Sequence, residues 1–459
     1  MTPLPTVDLS VPQRIHIVGI GGTGMSAIAR VLHDMGHSIS GSDAQESPTL
    51  ESLRSLGINV TAGHNPANIS DSVDLVAIST AVGSTNADVQ AAREKMKPVV
   101  SRATILSAIA RTKRVVAVAG THGKTTTSSL VAAALSGGGL QPSWIIGGDI
   151  GGKGGANWGS GEWLVLEADE SDGTFLTLGA ECGVVTNIEP DHLEHYGGWP
   201  QLQQAFVDFV EAIGGPVFVC VDDVGVRDMV DTLGKLDRIH TYGTSQGADW
   251  QIQDVKPSDF GVSFTVVNEG EATALVVPVP GMHNARNATA AFGLAVSLQA
   301  DREGAARAIA DFVGVGRRFQ QRGNKAGVVF VDDYAHLPTE VEAAISAAKD
   351  GSWNRVVAVF QPHRYSRTEQ VGKDFADSFR DADVVVLTDV YAAGESPRPG
   401  IDGDLVRNAV EATGKQVFYV QDRQQLASAV RELLFEGDIC LSLGAGDITK
   451  LADEVQDGL

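Results

Sequence analysis

The stretch VVAVAGTHGKTTTSSL, residues 115–130, joins a run of β-branched residues to a helix-compatible run through a loop containing Gly-Lys-Thr. Strand, glycine loop and helix in this order are typical of phosphate sites, because backbone N–H groups and the helix N-terminus face the anion. The usual G-x-x-x-x-G-K-[ST] spacing would place its first glycine at Val118, but Gly120 can supply the turn instead. The stretch therefore predicts a nucleotide-binding α/β domain with a shortened G-x-x-G-K-T loop.

Two residues of this loop carry specific expectations. Lys124 can reach the β- and γ-phosphates, and the Thr125 hydroxyl is placed to ligate Mg²⁺. An ordinary strand–turn–helix junction is the alternative, and the order of the elements argues against it. The residues predicted to contact ATP here are Gly120, Thr121, His122, Gly123, Lys124, Thr125 and Thr126.

Buried strands alternate with helical patterns along nearly the whole chain, in runs such as RIHIVGI, WLVLEAD, RVVAVFQ and DVVVLTD. Continuous rather than alternating apolar residues predict parallel sheets covered by helices on both faces. We expect three α/β domains: a Rossmann-like domain at 1–112, a P-loop-type ATP domain at 113–316 and a Rossmann-like domain at 317–459. The segment 250–281 alternates and carries turn residues, so we expect a small antiparallel insertion in the middle domain.

Composition restricts the function further. The formal net charge of −22 argues against nucleic-acid binding, which depends on basic surface. The sequence holds no apolar stretch long enough for a membrane helix, and residues 1–14 lack a secretory signal and suggest a short flexible tail. Cys182, Cys220 and Cys440 each lie in an apolar run, which predicts buried free thiols and a cytoplasmic protein.

Acidic residues follow the next predicted strand, in WLVLEADESD, and a His follows the one after it, in TNIEPDHLEHYG. Glu167 and His192 at adjacent strand ends could hold Mg²⁺ opposite the phosphate loop. A solvated acidic rim is the alternative for Asp169, Glu170 and Asp172. The eight glycines within 147–161 predict a mobile loop near this site.

A second glycine loop, in IHIVGIGGTGMS, lies in the first domain. Its G-x-G-x-x-G pattern with Asp43 about twenty residues on is a dinucleotide fingerprint. A second nucleotide loop in the same chain leaves two alternatives open, an NAD site or a site for the pyrophosphate of a UDP-sugar. The predicted substrate residues are Gly19, Gly21, Gly22, Thr23, Gly24 and Asp43.

Three further motifs carry polar side chains. In PGMHNARN, His283, Asn284 and Asn287 could read an adenine edge or cap a helix. Arginines cluster at the proposed hinge, at positions 317, 318 and 322. In FQPHRYSRT, Arg364 and Arg367 with His363 form a cation cluster suited to a carboxylate or phosphate, unless they pair with the domain's own acids.

In their order along the chain these motifs resemble those of the Mur ligase family, from Ile15 to about Lys450. The resemblance rests on GIGGTGMS, GTHGKTTT, EADESD, TNIEPDH, HNARN, RRF, DDYAH, FQPHRYSRT, DVYAAGE and LGAGDITK. It implies an ATP-dependent ligase that activates a carboxylate as an acyl phosphate. The alanine-adding branch, which these motifs resemble most, implies UDP-N-acetylmuramate and L-alanine as substrates, two Mg²⁺ ions (or Mn²⁺) and a monomer or weak homodimer.

The resemblance also implies roles for single residues. Lys124, Glu167 and His192 would be catalytic, with Thr125 and Glu167 on one Mg²⁺ and His192 on the second. The implied nucleotide contacts outside the phosphate loop are His283, Asn284 and Asn287 for adenine, Asp333 for ribose, and Arg317. The implied contacts to the substrate carboxylates are Tyr334, His336, His363, Arg364 and Arg367.

The sequence departs from the family at DDYAHLP, where Ala335 and Leu337 replace a Gly and a second His, which leaves His336 as the candidate. Several sister ligases use a carbamylated lysine, but no lysine lies between Lys153 and Lys235, consistent with the alanine-adding branch. Three alternatives stay open: a sister ligase that attaches a recycled tripeptide, an NAD-dependent oxidoreductase, and a regulatory nucleotide-binding protein.

Overall fold

The computed structural model describes residues 7–151 and 154–459. The start of the expected N-terminal tail and residues 152–153 of the glycine-rich segment lie outside the described residues. Three sheets organise the rest, and the α/β class with mainly parallel strands is confirmed.

The first sheet is doubly wound. Its parallel strands stand in the order β3-β2-β1-β4-β5, and the order reverses beside β1, which is where such sheets bind ligands. The strands are Arg14–Val18 (β1), Ser38–Asp43 (β2), Asn59–Ala62 (β3), Leu75–Ile78 (β4) and Val99–Ser101 (β5). The helices are Thr23–Asp34 (α1), Pro48–Ser55 (α2), Ala87–Glu94 (α3) and Arg102–Ala110 (α4), with a 3₁₀ turn at Pro66–Asn68.

The second sheet begins with the strand that precedes the phosphate loop. Its first strands are Arg114–Ala119 (β6), Ser143–Ile145 (β7), Ala156–Asn157 (β8), Trp163–Glu167 (β9), Cys182–Val185 (β10), Val217–Cys220 (β11) and Ile239–Gly243 (β12). The helices among them are Lys124–Gly137 (α5), Leu193–Tyr196 (α6), Trp199–Ala212 (α7) and Val224–Leu233 (α8), with a 3₁₀ turn at Thr174–Thr177. Because β9 and β10 flank β6 in parallel, their carboxyl ends lie at the same edge of the sheet as the phosphate loop.

Three strands with an alternating pattern follow: Trp250–Ser258 (β13), Gly261–Asn268 (β14) and Glu271–Val277 (β15). Two-residue connections join them, and Glu269 and Gly270 both have positive φ, as a type I′ hairpin turn requires. The full order of this ten-stranded sheet is β15-β14-β13-β12-β11-β10-β6-β9-β7-β8. Helices Met282–Ser297 (α9) and Arg302–Ala310 (α10) complete the region.

The third sheet has the order β16-β17-β21-β18-β19-β20, with only β16 antiparallel to its neighbour among the described strands. The strands are Gln320–Lys325 (β16), Val328–Asp333 (β17), Arg355–Phe360 (β18), Val384–Thr388 (β19), Val417–Val420 (β20) and Asp438–Leu443 (β21). The helices are Pro338–Lys349 (α11), Tyr365–Val371 (α12), Gly403–Glu411 (α13), Arg423–Leu433 (α14) and Leu451–Asp457 (α15), and 3₁₀ turns lie at Asp374–Asp377 and Asp447–Lys450.

Burial explains the strand pattern. The central strands β6, β10 and β21 are buried along almost their full length, as expected for strands covered on both faces. The three cysteines are buried free thiols, as predicted. Within the described residues, no helix combines the length and the apolar character needed to cross a bilayer.

The chain divides into two compact units. The first comprises 1–252, 267–271 and 287–309, and so contains both glycine loops. The second comprises 253–266, 272–286 and 310–459, and contains the third sheet.

Candidate active site

The phosphate loop depends on two glycines with positive φ. Gly120 has φ +132°, and a Cβ atom there would lie 2.0 Å from Thr186 Oγ1. Gly123 has φ +79°, and its Cβ would lie 3.2 Å from Asn287 Oδ1. A side chain at Gly120 is therefore excluded by both conformation and space. The turning role predicted for Gly120 is confirmed.

Residues after β10 hold this loop in place. Asn187 Oδ1 accepts the His122 N–H at 2.8 Å, and its Nδ2 donates to His122 O at 3.0 Å. The Thr186 hydroxyl donates to the same carbonyl at 2.6 Å, and Thr121 N–H donates to Asn187 O. Sequence reasoning did not assign Thr186 or Asn187 to the site. The motif TNIEPDH contains them, but nothing in it shows that they face the loop.

Lys124 is the first residue of α5, and Thr126 is buried one turn into the same helix. Lys124 Nζ donates to Gly120 O and Thr121 O at 2.6 and 3.1 Å, and lies 2.8 Å from Glu170 Oε2. Burial alone would lower the pKa of Lys124, but the neighbouring carboxylate of Glu170 raises it above its ordinary value, so the amine stays charged. The solvated rim is wrong for Glu170, which is 2% exposed because it pairs with this lysine.

Thr125 and Glu167 form the second half of the phosphate site. The Thr125 hydroxyl donates to Glu167 Oε1 at 2.9 Å, and Gly147 N–H donates to Glu167 Oε2 at 2.7 Å. Hydroxyl and carboxylate oxygens suit Mg²⁺, which takes few protein ligands when phosphates and water complete its shell. The donor set therefore fits one Mg²⁺. Among the described residues, no group of three or more His, Cys, Asp or Glu is arranged to hold a metal ion by itself.

His192 lies on the turn that follows β10 and contacts its neighbour Asp191. It has φ +53° and precedes α6, and its Nε2 lies 3.4 Å from Asp191 Oδ2. A non-glycine residue with positive φ is strained, which places the imidazole in a defined position on a tight turn. Its assignment to a second Mg²⁺ stays a prediction.

The first-domain loop uses the same backbone device without a lysine. Gly19, with φ +78°, and Ile20 donate their N–H groups to Ser42 O, and Gly21 N–H donates to Asp43 Oδ2 at 2.8 Å. A Cβ on Gly21 would lie 2.9 Å from the same carboxylate oxygen. Gly22 precedes α1, whose first residue is Thr23. The loop therefore presents a helix N-terminus at the switch point of the first sheet.

A buried carboxylate lies beneath this loop. Asp88 is fully buried, and it accepts hydrogen bonds from Ser42 Oγ at 2.6 Å, His64 Nδ1 at 2.8 Å, Asn68 Nδ2 at 3.1 Å and Asn65 N at 3.0 Å. Since Ser42 O receives the first two N–H groups of the loop, Asp88 fixes the loop through Ser42.

Arg102, at the start of α4, was also missed by sequence reasoning. It lines a small pocket together with the acidic residues after β9. The lining residues are Arg102, Ala103, Leu106, Glu167, Asp169, Asp172, Thr174 and Leu178. A single Arg in an ordinary helix carries no motif, so only the packing of α4 reveals it.

The predicted adenine residues lie on the first turns of α9. Asn284 Nδ2 donates to Pro280 O at 2.7 Å, and it lies 3.1 Å from His283 Nε2. Burial, together with Arg286 and Arg318, lowers the pKa of His283 to about 4, so its imidazole is neutral. The side chain of Asn287 approaches Gly123 of the phosphate loop.

Arg317 and Asp333 are held by backbone groups. The Arg317 guanidinium donates to Gly444 O at 2.7 Å, and it lies over the Tyr334 ring at 4.7 Å. Asp333 accepts the N–H groups of Phe319 and Ala335 at 2.7 and 2.8 Å, and burial raises its pKa to about 6. Their roles toward ATP stay predictions.

The structure brings the remaining predicted residues of the third sheet together. The rings of Tyr334 and His336 lie 5.4 Å apart, and those of His336 and His363 lie 6.2 Å apart. Arg367 Nη1 lies 3.3 Å from His363 Nδ1, and Arg364, with φ +68°, begins the same helix. Sequence reasoning missed the stacking partner of His363, Tyr391, whose ring lies 5.7 Å away.

The charge predicted for His363 needs correction. Burial, with Arg367 and the other nearby cations, lowers its pKa to about 4, so the cluster contains two arginines and a neutral imidazole. Burial also lowers the pKa of His336, whose Nδ1 lies 2.9 Å from Tyr334 O. If Nδ1 donates to that carbonyl, Nε2 is left as a proton acceptor.

Models of known protein families match this chain over most of its length. The Mur ligase family catalytic-domain model matches residues 14–114, the Mur ligase middle-domain model matches 118–295, and the Mur ligase glutamate-ligase-domain model matches 317–446. A UDP-N-acetylmuramate–L-alanine ligase of Geobacter sp. (strain M21) is 43% identical, with 96% of each chain covered. Its counterpart in Bradyrhizobium sp. (strain ORS 278) is 45% identical over 95% of this chain and 96% of the relative.

Solved structures of related ligases also match the fold of this chain. The UDP-N-acetylmuramate-alanine ligase of Thermotoga maritima matches with a TM-score of 0.81 and 30% identity, over 97% of this chain and 99% of that one. A murein peptide ligase from Psychrobacter arcticus, at 22% identity and a TM-score of 0.69 over 96% and 98% of the two chains, shares the fold. These matches decide against an oxidoreductase and a regulatory protein without chemistry. Three matched family models and relatives above 40% identity over nearly the full length show that the chain belongs to the Mur ligase family.

Proposed function

We propose that this Mur ligase joins L-alanine to the lactyl carboxylate of UDP-N-acetylmuramate, with conversion of ATP to ADP and phosphate. The arrangement that carries the proposal is the phosphate loop, in which Lys124 and the Thr125–Glu167 pair lie at one strand edge. The relatives named as alanine ligases support the choice of substrates.

In the first half of the reaction, a lactyl carboxylate oxygen bonds to the γ-phosphorus of ATP, and the bond from that phosphorus to the ADP oxygen breaks. Lys124 must exchange Glu170 for the phosphate oxygens, where its charge stabilises the transferring phosphoryl group. Thr125 and Glu167 would hold Mg²⁺, which when bound supplies further neutralisation of phosphate charge.

In the second half, the alanine nitrogen bonds to the acyl carbon, and phosphate leaves with the electron pair of the broken C–O bond. We propose that Arg364 and Arg367 bind the alanine carboxylate. The ammonium must lose a proton before attack, and the neutral His336 can accept it at Nε2. In this proposal His336 deprotonates the alanine amine, while Arg364 and Arg367 nearby orient the alanine by its carboxylate.

The test is ADP release with UDP-N-acetylmuramate and ATP, offering L-alanine, glycine, L-serine and the murein tripeptide in parallel. We expect L-alanine to give the highest kcat/KM. A higher kcat/KM for the tripeptide would favour the recycling sister ligase. Substrate labelled with ¹⁸O in the lactyl carboxylate should pass one label to the released phosphate, and unlabelled phosphate would overturn the acyl-phosphate route.

The phosphate-loop lysine provides the matched variant. Lys124→Ala should lower kcat by about 10³-fold or more, because one buried cation on the transferring group is lost. Lys235→Ala, at an exposed position of the same domain, should leave the rate unchanged. Near-normal ligation by Lys124→Ala would refute the assignment of this loop.

We further propose a cytoplasmic location, which the buried free thiols and the need for ATP support. The monomer or weak homodimer stays a prediction, and light scattering behind a sizing column would decide it.

A further inference from the structure

Arg102 is a partly buried arginine whose side chain has no direct hydrogen-bond or ion-pair partner among the described residues. Within residues 7–151 and 154–459 the Arg102 guanidinium makes no hydrogen bond or ion pair, and its Nε is shielded from solvent with no acceptor in reach. Buried guanidinium groups are normally paired, because removing their charge from water is unfavourable unless an anion replaces it. A guanidinium with no direct ion-pair partner is available to bind an anion from outside the chain.

The absence of a direct ion pair at Arg102 is unexpected, because carboxylates are abundant in the chain and in the same pocket. The chain carries 57 Asp and Glu against 35 Lys and Arg, so carboxylates for internal pairing are abundant. Glu167, Asp169 and Asp172 line the same pocket, yet none lies within ion-pair distance of Arg102. Asp169 hydrogen-bonds to Ser171, and its carboxylate is attracted to Lys124 and, less strongly, to Arg102, without forming a direct ion pair with that arginine.

The guanidinium also lies against the first-domain glycine loop. A Cβ on Gly24 would be 3.0 Å from Arg102 Nε and 3.2 Å from Cζ, so the guanidinium lies close to the backbone of this loop. Gly24 is in the first turn of α1, whose N-terminus faces the expected pyrophosphate. One side of the guanidinium therefore faces the substrate loop, and the pocket carries Glu167 of the phosphate site.

We propose that Arg102 binds an anionic oxygen pair of the UDP-sugar substrate, either the pyrophosphate or the lactyl carboxylate. The planar fork of the guanidinium matches both groups in a bidentate arrangement. The proposal rests on the proposed function, since it takes a UDP-sugar as the ligand.

The experiment measures binding by calorimetry on the full chain, with UDP, UDP-N-acetylglucosamine and UDP-N-acetylmuramate. Arg102→Gln should weaken binding by about tenfold or more, because a charge-assisted hydrogen-bond pair is lost. If the pyrophosphate is the partner, all three ligands lose affinity equally. If the lactyl carboxylate is the partner, only UDP-N-acetylmuramate does. Arg102→Lys should recover part of the affinity, since it restores the charge but not the fork.

Two controls separate a binding role from general damage. Arg111→Gln removes the same charge at the exposed end of the same helix and should leave all affinities unchanged. The affinity for ADP should be the same in all variants. Unchanged UDP-sugar affinity in Arg102→Gln, or an equal loss in Arg111→Gln, would overturn the proposal.

The outcomes that would overturn the proposed function differ from those that would overturn the role of Arg102. Wild-type protein that binds no UDP-sugar would overturn both proposals. Wild-type protein that binds UDP-N-acetylmuramate but releases no ADP with any amine would refute the ligase chemistry, while the Arg102 comparison would still stand.

Discussion

The two glycine loops of the first unit use one backbone device for two purposes. Each follows a buried parallel strand and opens a helix, and each needs a glycine with positive φ: Gly19 in one and Gly120 in the other. The second adds a lysine, a hydroxyl and a carboxylate at the end of the neighbouring strand, whereas the first has Asp43 bound to its own backbone. The two loops therefore share a backbone geometry suited to a phosphate, and only the second has the added side chains that phosphoryl transfer needs.

The supports of the two loops differ as well. Side chains at the end of the adjacent strand, Thr186 and Asn187, hold the phosphate loop directly. The first-domain loop is held from below, through Ser42 and the buried Asp88. The two loops can therefore be disturbed independently.

The largest effect is expected from Gly120→Ala, since the new Cβ would collide with Thr186 Oγ1 and require an unfavourable φ. We expect the phosphate loop to be disrupted by more than about 3 kcal/mol and ADP binding by calorimetry to be lost. Gly22→Ala in the other loop is the matched control. Gly22 has φ −68° and its nearest contact would be 3.6 Å away, so ADP binding should be unchanged. Normal ADP affinity in Gly120→Ala would show that the two loops do not differ in this way.

The strands and the order of these loops followed from the sequence because short buried runs rich in Val, Ile, Leu and Ala, such as those of β1, β6 and β9, predict parallel strands. The sequence did not show which acidic residue of a run contacts which residue of the phosphate loop. In EADESD the side chains of Glu167 and Glu170 are three residues apart, and only the packing shows that one meets Thr125 and the other Lys124. The positive charge predicted for His363 was wrong for a related reason. Burial lowers the pKa of His363, and the sequence pattern does not show how deeply a side chain is buried.

The second effect concerns Glu167, the carboxylate at the end of β9 that pairs with Thr125 beside the phosphate loop. Glu167→Gln should lower kcat by about 10²-fold and raise the Mg²⁺ concentration for half-maximal rate, because an amide is a weaker ligand for a hard cation. A magnesium titration of initial ADP release measures both. Glu162→Gln, on an exposed position just before the same strand, is the control. An unchanged magnesium curve in Glu167→Gln would remove the carboxylate from the metal site.

The third effect concerns the support beneath the first-domain loop. Asp88→Ala would leave the buried donors of Ser42, His64 and Asn68 without their acceptor, so we expect a loss of about 2–3 kcal/mol in stability. Thermal unfolding followed by circular dichroism should show an earlier transition. UDP-sugar affinity should fall while ADP affinity stays the same, and Asp34→Ala on the exposed end of α1 should change neither. A parallel fall in ADP affinity would show that the two loops are coupled.

The smallest expected effect is on the pH dependence of stability, and it arises from a difference between the two strands that lead into the loops. β6 reaches the phosphate loop through Val and Ala alone, whereas β1 carries His16, which is 2% exposed and whose Nδ1 lies 2.9 Å from Ser40 Oγ. Burial lowers the pKa of His16 to about 4, so its imidazole is neutral in the folded chain.

The unfolded chain binds a proton at this imidazole near pH 6.5, which the folded chain does not bind until about pH 4. The unfolded state therefore holds more protons between these values, and the free energy of unfolding falls as pH drops through this window. Stability from this group is fully present above pH 6.5, and about 1 kcal/mol of it should be lost at pH 5.5. His16→Leu should flatten the dependence of the unfolding transition on pH between 4 and 6.5. If the slope persists in His16→Leu, the pH response arises elsewhere, and the two entry strands do not differ in this respect.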